Sequence, residues 1–170
     1  VLFLHGLGGS AAEAEHYRPL FPDCDVIGLD YHGIEPWSAG EEIRDAVFGL
    51  CGTYRRVSLI GYSIGAFLAM HADVDALLKK AYFISPVVDM ESIILALMAQ
   101  AQVTEEDLKT AGTIPLEGGI ALSWEYLDYV RTHPVEWSAP TAILYAERDN
   151  LQPRKTIEDF ADAHGADLTV

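Results

Sequence analysis

Six short runs of the chain are continuously apolar rather than alternating between apolar and polar residues. Strands buried on both faces of a parallel sheet have this pattern. The runs are 1–5, 25–30, 56–61, 80–84, 141–146 and 167–170. Longer segments with helical spacing lie between most of them, at 11–20, 39–53, 63–78 and 153–164. This alternation predicts an α/β fold, a mostly parallel sheet with helices on both faces.

One long segment interrupts the alternation between the fourth and fifth apolar runs. Residues 89–137 contain three helical patterns, at 90–102, 104–111 and 123–130. Thr104 precedes three acidic residues, which is typical of a helix N-terminus. We expect an α/β core at 1–88 and 138–170 and a helical cap at 89–137, an overgrown crossover being the alternative.

The composition excludes two classes of partner. The chain has 26 acidic and 11 basic residues and a formal net charge of −15, which disfavours nucleic acids and anionic lipid. No apolar run approaches the roughly 18 residues of a membrane span. Two cysteines, Cys24 and Cys51, are too few for a disulfide framework, although one bridge is possible. We expect both to be reduced and buried, Cys51 in the core, and we expect a cytoplasmic location.

The sharpest motif is Gly61-Tyr-Ser-Ile-Gly65, between an apolar strand and a helical pattern. In this setting GxSxG predicts a nucleophile elbow, a tight turn that lifts the serine hydroxyl clear of the backbone. The flanking glycines allow the strand and the helix to approach closely. Ser63 is therefore the candidate nucleophile. The alternative is a glycine-rich turn in which the serine only caps the helix.

A second motif, Leu4-His-Gly-Leu-Gly-Gly-Ser10, follows the first apolar run. With the elbow it makes nearly the whole chain resemble the α/β-hydrolase superfamily of esterases and lipases. The resemblance implies an oxyanion hole formed by the backbone N–H groups of Leu7 and Ile64. It also implies that His5 braces the loop rather than acting as the base.

The same resemblance places a catalytic acid just after the fifth apolar run. Asp149 fits that position, with Pro153 a few residues later. Ala146 stands where the family commonly has glycine, a mild departure. Glu147 and Asp89 are the alternatives, since some relatives carry the acid after the preceding strand.

The histidine of the implied Ser-His-Asp triad is missing from its expected place after a further strand. The only histidine after Asp149 is His164, which we expect at the end of the last helix, on the wrong side of the sheet. We therefore expect the catalytic histidine beyond Val170, in a chain that stops short of it. The alternative is a natural pseudo-enzyme, which keeps the fold and the nucleophile elbow but has no catalytic base.

These features indicate a serine hydrolase that cleaves a small ester or related acyl substrate through an acyl-enzyme. No cofactor and no metal are implied, and no group of residues has metal-ligand spacing. The alternative function is a non-catalytic ligand-binding or scaffold protein with the hydrolase fold. Ester, thioester, acylglycerol, peptide and carbon–carbon bonds are not separated by the fold, and the sequence leaves the oligomeric state open.

Overall fold

A computed structural model describes residues 1–170. Its eight strands are β1 (Leu2–Leu4), β2 (Ile27–Leu29), β3 (Val57–Tyr62), β4 (Leu78–Ile84), β5 (Thr113–Pro115), β6 (Ala121–Ser123), β7 (Thr141–Leu144) and β8 (Asp167–Thr169). Its six α-helices are α1 (Pro36–Thr53), α2 (Ile64–Met70), α3 (Met90–Ala101), α4 (Glu105–Ala111), α5 (Trp124–Thr132) and α6 (Arg154–His164). Every run predicted as a strand contains one.

Six strands form one sheet in the order β2-β1-β3-β4-β7-β8, and every neighbouring pair is parallel. The predicted parallel sheet is thus confirmed. The strand order reverses at β1, because the chain passes to β2 on one side and then returns to β3 on the other. The loops that leave the carboxyl ends of β1 and β3 therefore lie side by side, at the position where open α/β sheets bind ligands.

The core lies where the continuous apolar runs predict it. Phe3, Leu59, Phe83 and Ile143, each from a different strand, are at most 1% exposed. Helix α1 buries one face, on which the predicted Ile43 and Val47 are inaccessible to solvent. Burial of both sheet faces explains why these strands are predominantly apolar.

Two predicted helices are shorter or tighter than expected. Residues 11–20 form two 3-10 helices, Ala11–His16 and Arg18–Leu20, and not an α-helix. Pro19, which has no N–H, cannot supply an α-helical hydrogen bond there. The helix that follows Ser63 ends at Met70 instead of extending to residue 78. Asp73 then adopts a φ of 51°, and a left-handed residue cannot continue a right-handed helix.

The expected burial of the cysteines is wrong. Cys24 and Cys51 are both free and both exposed. Cys51 lies in the last turn of α1, beyond Val47, the last fully buried position of that helix.

The chain divides into two compact units, residues 1–88 with 135–170, and residues 89–134. The second unit holds α3, α4 and α5 and an antiparallel hairpin of β5 and β6 that the helical patterns did not predict. Leu122 of the hairpin is buried, whereas its neighbours in β6 are not. Side chains alternate between the two faces of a strand, so this burial produces no helical spacing in the sequence. The predicted cap of Thr104 on α4 is confirmed, since its hydroxyl accepts a 3.1 Å hydrogen bond from the Asp107 N–H. A role of this unit as a cap stays a prediction.

No helix combines the length and apolar character needed to cross a bilayer.

Candidate active site

Ser63, the predicted nucleophile, lies between β3 and α2 in a strained backbone conformation. Its φ is 52° and its ψ is −119°, a region that residues with side chains rarely adopt. Such strain costs about 1–3 kcal/mol and persists only where the surroundings enforce it. The surroundings here are the neighbouring strand and its loop: the Ser63 N–H donates to the carbonyl of Ile84 (3.0 Å), and the Ser63 carbonyl accepts from Val87 N–H (3.1 Å).

Glycines at both ends of the elbow (61–65) permit this geometry. A β-carbon on Gly61 would lie 2.7 Å from the Ala66 Cα, inside the following helix. One on Gly65 would lie 2.6 Å from the carbonyl oxygen of His5 and 2.7 Å from that of Leu4. Helix α2 therefore passes against the end of β1 at a distance that excludes any side chain.

The hydroxyl of Ser63 is not used as a helix cap. Ser63 holds the N-cap position of α2, yet its side chain makes no capping hydrogen bond to the helix. The residue is half-buried. The alternative in which a serine merely caps the helix thus lacks the hydrogen bond that defines it.

The loop after β1 (5–10, hereafter the glycine loop) packs beside the elbow. A β-carbon on Gly6 would lie 3.4 Å from Ser63 Cβ and 2.9 Å from Tyr62 Cδ1. A hydrogen bond of 3.0 Å from the Gly9 N–H to the Gly6 carbonyl closes a turn, in which Gly8 takes a φ of 74°. Leu7 is the second residue of this turn, and its N–H takes no part in the hydrogen bond that closes the turn.

The second predicted oxyanion donor is the N–H of Ile64, the first residue of α2. The first N–H groups of a helix have no intrahelical acceptor. The structure thus brings Ser63, Leu7 and Ile64 to neighbouring loops at one edge of the sheet. Two such amides are able to bind a developing oxyanion beside the serine.

The rings of His5 and Tyr31 pack together at the start of the glycine loop. The ring of His5 stacks on Tyr31, with centroids 4.3 Å apart and planes 6° apart. His5 Nδ1 lies 2.8 Å from the Gly6 carbonyl, so this nitrogen carries the proton, and the side chain is buried. These contacts fit the bracing role expected of His5. Tyr31 was not identified from the sequence, because nothing in the chain order indicates that a residue of the loop after β2 reaches the loop after β1.

Asp149, the predicted acid, lies in the loop after β7 (145–153, hereafter the acid loop). Its Oδ1 accepts hydrogen bonds from the N–H groups of Leu151 (2.8 Å) and Gln152 (3.4 Å). Both bonds go to Oδ1, so Oδ2 is available to a further donor. The carboxylate is half-buried and is oriented by its own loop.

The alternative acids are placed differently. Glu147 is exposed, in the same loop. Asp89 caps α3, accepting a 2.9 Å hydrogen bond from the Ser92 N–H, and belongs to the second compact unit. Both oxygens of Asp89 accept hydrogen bonds from Ser92, from its N–H and from its hydroxyl, whereas the acid loop engages only Oδ1 of Asp149.

His164 lies at the opposite edge of the sheet from Ser63. It ends α6, and its Nδ1 lies 3.0 Å from the carbonyl of Trp137, shortly before the amino end of β7. Parallel strands carry all their carboxyl ends at the other edge, where Ser63 and Asp149 lie. The structure therefore does not bring His164 to the candidate nucleophile.

The structure contains no cluster of side chains suited to bind a metal ion. No group of three or more His, Cys, Asp and Glu side chains is arranged to hold a metal ion.

Comparison with solved structures shows which proteins share this fold. Mouse alpha/beta hydrolase domain-containing protein 10 superposes with a TM-score of 0.70 at 18% identity, over 99% of this chain and 77% of its own. An esterase from Pyrococcus furiosus gives a TM-score of 0.68 at 19% identity, over 99% and 71%. A lipase-esterase related protein from Clostridium acetobutylicum gives 0.64 at 15%, over 99% and 83%. The fold predicted from the sequence is thereby confirmed.

No curated protein sequence matches the chain significantly. A sequence model of the alpha/beta hydrolase family, in contrast, matches residues 1–168. Because this match spans almost all of the sequence, the chain belongs to the alpha/beta hydrolase family.

Proposed function

We propose that this protein is a serine hydrolase that cleaves a small ester or a related acyl substrate. The strained backbone of Ser63 is the observation that carries the proposal. Ser63 stands at the start of α2, yet its hydroxyl makes no capping hydrogen bond to that helix. A conformation that costs free energy and brings no capping bond is typical of a functional turn. Family membership and the esterases among the similar folds support the same reaction class.

In the proposed reaction the Ser63 oxygen attacks the substrate carbonyl and transfers its proton to a histidine. The N–H groups of Leu7 and Ile64 hold the oxyanion. The leaving alcohol takes the proton from the histidine, and water then cleaves the acyl-enzyme in the same way. Asp149 orients the histidine and stabilises its charged form. We place that histidine outside residues 1–170.

The free thiols also support a proposal about location. Cys24 and Cys51 are exposed and unpaired with each other. Exposed free thiols persist in a reducing compartment, so we propose the cytoplasm.

Fluorophosphonate labelling of the full-length gene product tests the proposal. The wild type should label, and Ser63→Ala should not, because the probe reacts only with an activated serine. Ser58→Ala is the matched control: Ser58 lies near the amino end of β3, the strand that precedes Ser63, and its loss should leave labelling intact.

A folded wild type that does not label would contradict the proposal and would favour the non-catalytic binding protein. If the wild type labels, rates on p-nitrophenyl esters of increasing acyl length then define the substrate class. A thioester and an anilide with the same acyl group test the alternatives to an ester.

A further inference from the structure

Gln152 is the most deeply buried polar side chain of the protein. It is 1% exposed, whereas the other buried polar residues, Thr141 and His5, are 5% and 9% exposed. Burying an amide costs free energy unless it is hydrogen-bonded. A buried amide at this position is therefore expected to be hydrogen-bonded.

The side chain of Gln152 joins two loops that are far apart in sequence. Its Oε1 accepts a hydrogen bond of 3.0 Å from the N–H of Val88. Val88 lies 64 residues earlier, in the loop after β4 (85–88). This bond attaches the acid loop to the loop after β4.

The loop after β4 is itself attached to the elbow. The N–H of Val87 donates a hydrogen bond of 3.1 Å to the carbonyl of Ser63. Adjacent residues of one short loop thus bind the elbow on one side and Gln152 on the other.

The backbone of Gln152 is hydrogen-bonded within the acid loop through both its N–H and its carbonyl. Its N–H donates to Asp149 Oδ1 (3.4 Å), and its carbonyl accepts from the Tyr145 hydroxyl (2.8 Å). Tyr145 is the residue directly after β7, so the acid loop is closed on itself at Gln152. Hydrogen bonds therefore link Asp149 to Gln152 and Gln152 to Val88, and the adjacent residue Val87 is hydrogen-bonded to Ser63.

We propose that Gln152 is a positioning residue that fixes the Asp149 carboxylate relative to the Ser63 elbow. The inference rests on the proposed roles of Ser63 and Asp149. Catalytic groups need placement within a fraction of an ångström, and a misplacement of 1 Å is able to cost about a hundredfold in rate. The elbow and the acid loop follow β3 and β7, which are not adjacent in the sheet, so a hydrogen-bonded link between them favours that precision.

The test compares variants that lose or keep the acceptor oxygen. Gln152→Met keeps the length and volume, and Gln152→Asn keeps an amide but shortens its reach. In both we expect the fluorophosphonate labelling rate and kcat on an ester to fall by about tenfold, with KM nearly unchanged. Gln152→Glu retains an acceptor for the Val88 N–H and, in the neutral acid form that burial favours, should recover most of the rate.

The pH profile separates positioning from stability. A well-placed carboxylate stabilises the imidazolium and so raises the pKa of the catalytic histidine. In Gln152→Met the acidic limb of kcat/KM should therefore move to lower pH. Thr141→Val is the matched control, because it removes buried hydrogen bonds to Trp137 and Ala139 at the amino end of β7. It should lower the Tm and leave both the rate and the limb unchanged.

The outcomes separate the two proposals. Wild-type labelling that depends on Ser63, with Gln152→Met and Gln152→Asn at the wild-type rate and limb, would overturn the role of Gln152 alone. Gln152→Asn keeps this test available if Gln152→Met does not fold. Absence of Ser63-dependent labelling in the wild type would overturn the proposed function and the inference with it.

Discussion

The hydroxyl of Tyr31 donates a hydrogen bond of 2.5 Å to the carbonyl oxygen of His5. Tyr31 follows β2 and His5 follows β1, so the bond joins the ends of two adjacent strands. This hydrogen bond fixes His5, the first residue of the glycine loop, and Leu7 lies in the same loop. Glu13 holds the other end of that loop, because its Oε1 accepts from the Ser10 N–H at 2.9 Å.

Tyr31→Phe should slow the reaction of Ser63. The change keeps the stacked ring and removes the hydrogen bond, so the glycine loop is held less firmly. We expect the fluorophosphonate labelling rate to fall by about tenfold, less than the hundredfold or more that loss of a whole oxyanion donor costs. Tyr54→Phe is the control, because Tyr54 donates a 2.7 Å bond to Asp25, away from the elbow. Equal labelling rates for the two variants would show that the Tyr31 bond does not shape the site.

Tyr31 should also make stability depend on alkaline pH. Burial, with a smaller contribution from the charge of Glu13, raises the pKa of Tyr31 from 10.0 to about 12. The neutral phenol is therefore favoured in the folded state, and its contribution is complete below pH 10 and is lost as the pH rises towards 12. The free energy of unfolding of the wild type should fall more steeply over this range than that of Tyr31→Phe. Urea titrations at pH 9 and pH 11 measure the difference, and parallel pH dependences would contradict the expectation.

Gly65→Ala and Gly49→Ala should change stability in opposite directions. At Gly65 a β-carbon would meet the carbonyl oxygens of His5 and Leu4, so helix and strand would have to separate. Forcing an extra group into a packed contact costs about 1–3 kcal/mol. At Gly49, inside α1, a β-carbon meets nothing within 4 Å, and alanine should stabilise the helix by about 0.5–1 kcal/mol. Urea midpoints of both variants test this, and a neutral Gly65→Ala would mean that the elbow tolerates a side chain.

Arg131 should stabilise the second compact unit against local unfolding. From α5 it donates to Glu91 of α3 (2.6 Å) and makes two bonds to Glu105 of α4 (2.7 and 2.8 Å). Arg131→Gln should speed hydrogen exchange and proteolysis within residues 89–134. Arg154→Gln, which breaks a pair with Glu158 within α6, is the control and should leave that unit unchanged.

The effect of Arg131 should disappear in acid. Hydrogen bonds from Arg131 hold the pKa of Glu105 below its ordinary value of 4.5. The stabilisation is therefore present at higher pH and is lost as the pH falls through that lowered pKa. Exchange rates of the wild type and Arg131→Gln should therefore converge once the pH has fallen below the lowered pKa of Glu105. A difference that persists there would mean that Arg131 acts through packing.

Local patterns were sufficient for much of the fold. The short apolar runs predicted all six strands of the main sheet, because the inner strands of a parallel sheet are buried on both faces. The helical patterns predicted α3, α4 and α5, and the Thr104 cap marks the start of α4, a boundary that local hydrogen bonds determine. The β5–β6 hairpin and the exposure of Cys51 were not predicted, because three-residue strands and the last turn of a helix carry too little periodicity.

The sequence by itself determined the parallel α/β sheet, the elbow around Ser63 and the glycine loop, since each rests on residues adjacent in the chain. Only the tertiary structure decided which loops lie together. The strand order places the glycine loop beside Ser63, and buried hydrogen bonds across 26 and 64 residues of sequence attach Tyr31 to His5 and Gln152 to Val88. Such contacts depend on how strands are ordered and how side chains pack, and neither leaves a periodic signal along the chain.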